Sequence, residues 1–278
     1  MMLKCSLHTH TTFCDGKNTP EEMVLSAIEQ GGQTLGFSEH SKVYDPNGEN
    51  WGMSDEKQSL YIREINRLKE KYADSINVLL GVEQDYTAGI PTYSFDYVIG
   101  SVHAVIKDGI RVDVDVDPQG LLTFIREHYH NNSMLFAKDY YALVADVARQ
   151  TNCDIIGHFD LLTKFNEKFF FVDTSSKEYR TYALEAADAL IEQNRIFEIN
   201  TGAISRGWRK DPYPEKFILT RLVEKKADII LSSDTHSKET VFYFYDEAIE
   251  YARSCGVREL CIYQNGVFEK IKYNRRGI

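Results

Sequence analysis

The chain has 278 residues, 43% of them hydrophobic and 27% charged, a balance that suits a globular protein with a sizeable core and excludes long disordered or membrane-spanning stretches. A net charge of −10, with basic residues grouped only briefly at Arg206, Arg209, Lys210 and Arg275-Arg276, argues against a nucleic-acid track. The five cysteines are odd in number and form no CxxC pair, and the Met1-Met2-Leu3-Lys4 start lacks a long apolar core; both predict a cytoplasmic protein with reduced thiols and no signal peptide.

In chain order, a β-rich run at roughly 3–8 precedes an amphipathic stretch from Thr19 to Ile28, where Thr19 can cap and Pro20 suits the first helical position. A strand at roughly 33–37 leads to a helical pattern from Ser54 to Tyr72, and strands follow at roughly 76–82 and 95–100. Helical patterns at Asp139–Gln150, Ser175–Gln193, Pro214–Lys226 and Lys238–Ser254 then alternate with strands at roughly 153–157, 195–199 and 227–231. This alternation predicts an α/β fold with a parallel sheet, and its seven rounds predict closure into a barrel within a single domain over 1–278. Residues 104–138 are too long for a plain βα loop and predict an insertion beside the site mouth, while Asn265-Gly266 predicts a hairpin over about 259–272.

His8, His40, Glu83, His103, His158, Asn200 and Asp234 each fall at or just after the end of a different strand candidate, where barrels of this class place their active sites. His8 and His10, two apart, share a face and can meet one cation, although two hydrogen-bonded rim histidines would look the same. Glu83 closes a buried-looking strand, where a carboxylate is costly unless cations or a basic partner hold it. Asp234 and His236 suit neighbouring ions or a strand-end cap. Asp113, Asp115 and Asp117 alternate with valine and read as the solvated face of a short strand, since a calcium loop needs other spacings. His128 and His130 read as surface histidines, and Cys14 and Cys153 as rim or buried thiols. Without a GxSxG elbow, P-loop or GxGxxG, hydrolysis assisted by metal ions is the chemistry the pattern favours.

The segments His8-Thr9-His10 with Asp15-Gly16, Ser38-Glu39-His40, Gly81-Val82-Glu83, Ser101-Val102-His103, Gly157-His158-Phe159-Asp160 and Ser233-Asp234-Thr235-His236 resemble the motifs of the polymerase and histidinol phosphatase superfamily. The stretches around Asp15–Met23, Lys138–Tyr141 and Ile199–Thr201 are similar to its histidinol-phosphatase branch. The resemblance implies a distorted seven-stranded (β/α) barrel with three divalent transition-metal ions, zinc, iron or manganese. By position, His8, His10, Glu83 and Asp234 would hold the first ion, Asp15, His40 and His236 the second, and Glu83, His103 and His158 the third. Asp15 stands where other members have histidine.

The implied activity is hydrolysis of L-histidinol phosphate to L-histidinol and phosphate in histidine biosynthesis, by a hydroxide bridging the ions. Another small phosphate ester or phosphotyrosine would use the same ligands. A non-catalytic or nucleic-acid-associated domain is the rival class, and the filled ligand positions and acidic charge count against it. Asp160 or Asp234 is expected to protonate the leaving alkoxide. Arg206 is the expected catalytic cation and, with Lys164 and Ser38, binds the phosphate, while the loop Tyr44–Trp51 offers Asp45, Glu49 and Trp51 to the leaving group. The expected partner is therefore a small phosphate monoester, with neither nucleic acid nor membrane; the oligomeric state stays open.

Overall fold

The computed structural model describes residues 4–43 and 52–272. β1 (Cys5–Ser6) leads into α1 (Pro20–Glu29), whose start is set by a reciprocal cap: the Thr19 hydroxyl accepts the Glu22 amide, and the Glu22 carboxylate accepts the Thr19 amide. β2 (Thr34–Phe37), α2 (Asp55–Lys71), β3 (Asn77–Asp85) and β4 (Tyr97–Ser101) follow. A hairpin of β5 (Ala104–Lys107) and β6 (Ile110–Asp113) then precedes α3 (Pro118–His128) and α4 (Ser133–Thr151). The rest alternates: β7 (Ile155–Ile156), α5 (Asn166–Phe169), α6 (Lys177–Ile191), β8 (Ile196–Asn200), α7 (Gly202–Ser205), α8 (Lys216–Glu224), β9 (Asp228–Ser232) and α9 (Tyr245–Ser254). β10 (Glu259–Gln264) and β11 (Val267–Lys272) form an antiparallel hairpin around Asn265-Gly266, both at positive φ.

The sheet has nine strands in the order β1-β2-β3-β4-β7-β8-β9-β10-β11, which corrects the expected seven. The two extra strands come from the C-terminal hairpin, because Cys261 of β10 pairs in parallel with Ile230 of β9. All neighbours are parallel except β10 and β11. The sheet also curls back on itself: Thr9, beyond β1, bridges in parallel to Thr235, beyond β9, with the His10 amide donating to the Thr235 carbonyl at 2.9 Å. α9 begins at Tyr245, later than the sequence pattern suggested, because Phe244 takes a left-handed conformation with φ 64°.

Side-chain alternation sorts each strand between two environments. In β3, Val78, Leu80 and Val82 join the main core under the helices, whereas Leu79 belongs to a second apolar cluster inside the curl, with Tyr97, Ile99, Ile155, Ile196 and Ile230. The inward face of β3 therefore reads Leu79, Gly81, Glu83, and that of β8 reads Ile196, Glu198, Asn200. Gly81 is needed beneath Glu83, since a Cβ there would lie 2.3 Å from the Tyr97 ring. Tyr97 plugs the interior with its hydroxyl 2.5 and 2.8 Å from the carbonyls of Leu7 and Phe37. The inside of the curl is thus apolar below and polar at the C-terminal ends of the strands.

Candidate metal centre

Glu83 sits at the middle of the polar end, 1% exposed, with five imidazoles around its carboxylate. His40 Nδ1, His8 Nε2 and His10 Nε2 lie 2.8, 3.3 and 3.5 Å from Oε2, while His158 Nε2 and His103 Nε2 lie 2.9 and 3.3 Å from Oε1. The five rings arrive from four strand ends: β1 supplies His8 and His10, β2 His40, β4 His103 and β7 His158. The segment after β9 adds Asp234, whose Oδ1 is 3.8 and 3.6 Å from His8 Nε2 and His10 Nε2, and His236, whose Nε2 is 3.2 Å from Asp15 Oδ2. All nine expected ligands thereby converge.

The donors are arranged as ligands more than as ion pairs. His8 Nε2 and His10 Nε2 are buried without a hydrogen-bond partner, a costly state for two polar atoms so close together. Their separations of 3.3 and 3.5 Å from the Glu83 oxygen match the edge of about 3.4 Å expected for ligands about 2.1 Å from a tetrahedral ion. Other donor groups with ligand atoms within 4.8 Å of one another are His8, His158 and Asp234; His10, Asp15, His40 and His236; His40, Glu83 and His103; and His10, Cys14 and Glu39. The residues fit divalent cations.

Burial pushes the Glu83 carboxyl up, but His8, His103 and His40 outweigh it and hold it well below the usual carboxylate range. Burial and the neighbouring His40 and His236 hold His10 well below an ordinary imidazole, so it presents a neutral nitrogen. Asp15 is raised by burial and lowered further by His236 and His40, which leaves it ionised.

Buried carboxylates that the sequence reading did not single out fix these ligands. Glu198 Oε1 lies 2.7 Å from His8 Nδ1, and its Oε2 accepts the His158 amide at 2.9 Å and the Asn200 amide group at 2.8 Å. Asp85 Oδ2 lies 3.1 Å from His103 Nδ1. Glu39 accepts the Thr11 amide and hydroxyl and the Cys14 thiol, pinning the turn that bears Asp15. Such outer partners set the ring orientation and tautomer of a ligand. The available signal was a charged residue on the inward face of an apolar strand.

Several expected contacts take other partners. Ser38 is fully buried, its hydroxyl accepting the Thr9 amide at 3.0 Å, so it ties β2 to the His8-Thr9-His10 segment. Arg206 spends its fork on the ligand segment: Nη2 donates to Asp234 Oδ2 at 2.9 Å, and Nη1 lies 3.1 and 3.0 Å from Asp234 O and His236 Nδ1. Lys164 Nζ donates to the Asp115 carbonyl and Oδ2 at 2.6 and 3.1 Å. Asp160 is fully buried beside Arg209, its Oδ2 accepting the Glu215 amide at 3.0 Å, and the structure does not bring it into the group around Glu83. Burial pushes its carboxyl up. Asp45, Glu49 and Trp51 lie outside the described residues. His128 pairs with Asp108 at 3.3 Å, away from the cluster.

The PHP domain family model matches residues 6–202, more than half of the chain and most of the ligand set. The chain belongs to the PHP domain family. A probable histidinol-phosphatase of Schizosaccharomyces pombe is 32% identical, covering 94% of this chain and 90% of the relative. A probable histidinol-phosphatase of Deinococcus radiodurans is 30% identical, covering 91% and 94%. Among solved structures, the histidinol phosphate phosphatase of Lactococcus lactis, complexed with zinc, L-histidinol and phosphate, superposes with a TM-score of 0.75 at 22% identity over 97% of this chain and 100% of that one. That likeness establishes a PHP-type α/β fold.

Proposed function

We propose that this chain is a metal-dependent phosphomonoesterase that hydrolyses L-histidinol phosphate to L-histidinol and phosphate in histidine biosynthesis. The observation that carries the reading is the set of desolvated, unbonded ligand atoms around Glu83. Histidinol-phosphatase relatives aligned over nearly the whole chain support the substrate. In this reading the strands β1 to β4 and β7 to β9 form a distorted barrel, joined at its mouth by the Thr9–Thr235 bridge. The unpaired thiols Cys5, Cys14, Cys153, Cys255 and Cys261 suit a cytoplasmic setting.

Three divalent ions are assigned: one to His8, His10, Glu83 and Asp234, one to Asp15, His40 and His236, and one to Glu83, His103 and His158. Zinc, iron and manganese all suit imidazole with carboxylate. When bound, such ions supply Lewis acidity toward phosphoryl oxygens and make hydroxide available near neutral pH. The chain's own contribution is orientation. Glu198 and Asp85 hold His8 and His103 by Nδ1 so that Nε2 is presented to the centre. Arg206 holds Asp234 and His236 in place, and its partly exposed guanidinium also borders the site. Burial pushes the Asp234 carboxyl up, but Arg206, His8 and His236 outweigh it and hold it well below the usual carboxylate range, so Asp234 reaches the cluster as an ionised ligand and not as the acid that protonates the leaving alkoxide. Asp160, bonded to the Glu215 amide, fixes the loop that carries His158.

Phosphate release from histidinol phosphate, a nucleotide, a phosphotyrosine peptide and phenyl phosphate tests the proposal. A kcat/KM for histidinol phosphate at least tenfold above the others is expected. Equal or better turnover of another ester would replace the substrate while keeping the phosphatase.

A further inference from the structure

Of the alternating Asp113, Asp115 and Asp117, the last is exposed and caps α3 by accepting the Gln119 and Gly120 amides, whereas Asp113 and Asp115 are not a solvated face. The amide of Val114 donates to the His103 carbonyl at 2.8 Å, so the turn that follows β6 is clamped directly against the segment that bears His103. Val114 is 0% exposed and packs in the main core. Asp113, Asp115 and Val116 line a cleft of about 530 Å³ together with Asp15, His40 and His103. That volume suits a small molecule.

Each carboxylate is held from behind by a cation. Arg111 donates to Asp113 Oδ1 through Nε and Nη2 at 3.1 and 2.6 Å, and Lys164 donates to Asp115 Oδ2 at 3.1 Å. Asp113 Oδ2 and Asp115 Oδ1 accept no hydrogen bond among the described residues. A carboxylate can accept about four hydrogen bonds, so both side chains keep acceptor capacity. The pairing also matters for the dianionic phosphate, since Arg111 and Lys164 offset the charge that would otherwise repel it across a few ångströms. The wall therefore offers fixed acceptors without a net negative charge.

We infer that Asp113 and Asp115 form the specificity wall for the leaving alcohol, accepting hydrogen bonds from the ammonium and ring N–H of a 2-amino alcohol phosphate. This inference rests on the proposed substrate. In histidinol phosphate the ammonium sits on the carbon next to the ester methylene, so a phosphate held at the ligand cluster presents it toward the cleft beside His103.

The test compares Asp113→Asn and Asp115→Asn with wild type on histidinol phosphate and phenyl phosphate, with metal content measured in each. The loss of kcat/KM on histidinol phosphate is expected to exceed that on phenyl phosphate by tenfold or more, chiefly through KM. Matching losses on both esters, or no loss on either, would overturn the wall. A measurement on unmodified enzyme guards against a folding defect: L-histidinol is expected to inhibit at least tenfold more tightly than its analogue lacking the amino group, and equal inhibition would overturn the inference. Wild-type preference between the two esters tests the proposed function separately, so the two ideas fail independently.

Discussion

His8 Nδ1 lies 2.7 Å from Glu198 Oε1, with both side chains fully buried, and this contact turns the opposite ring nitrogen toward Glu83. The carboxylate selects the Nδ1–H tautomer and leaves Nε2 for a cation. Glu198→Gln retains the size but weakens that selection and disturbs the His158 amide contact. Metal affinity measured by chelator competition is expected to fall about 10–100-fold. Unchanged affinity would show that Glu198 only fills space.

Arg206 bonds to Asp234 and His236, which makes it a positioning residue for two ligands. Arg206→Ala is expected to lower kcat/KM on every phosphate ester by about 1.5–3 kcal/mol, the range for charged hydrogen bonds, together with a reduced metal content. A raised KM with full metal content would return Arg206 to a direct phosphate contact.

Removal of the ions leaves buried imidazoles and carboxylates without partners. Ions at about 100 times their Kd stabilise the folded state by about 2.7 kcal/mol, so exhaustive chelation is expected to lower Tm by roughly 5–10 °C. Differential scanning fluorimetry before and after readdition of zinc or manganese checks this, and an unmoved Tm would contradict tight binding.

Glu215 contributes a pH dependence of stability. Burial and the adjacent Asp160 push its carboxyl up to about 7. The folded state then holds the proton more tightly than the unfolded chain, so the contribution is fully present below about 4.5 and is lost as pH rises through about 7. Glu215→Gln removes the titration. Its Tm relative to wild type is expected to rise between pH 5 and pH 8, and a constant difference would remove Glu215 as the cause.

The clustering of the histidines around Glu83 was legible because each follows a strand signal, and seven strands occur where the apolar runs predicted them. The outer carboxylates were not. Glu198 meets His8 across 190 positions of sequence, and its inward direction depends on how Ile196 packs inside the curl. The nine-stranded sheet was hidden for a similar reason, since β10 joins through the pairing of Cys261 with Ile230. Asp113 and Asp115 alternate with valine as an exposed strand would, but the chain turns after Asp113, and with Val114 buried both carboxylates line the cleft. Ser38 and Arg206 carried the right chemistry for phosphate, and burial or nearer partners gave them other work.

The role proposed for Glu83 is to organise a centre of more than one ion that hydrolyses a phosphate monoester. Elemental analysis of wild type and Glu83→Ala, purified without chelator and assayed for phosphate release from histidinol phosphate, tests it most directly. Wild type is predicted to carry between two and three divalent ions per chain, and Glu83→Ala to lose more than one of them together with its activity. Full metal content and near-normal turnover in Glu83→Ala, or an active wild type with less than one ion per chain, would contradict the account.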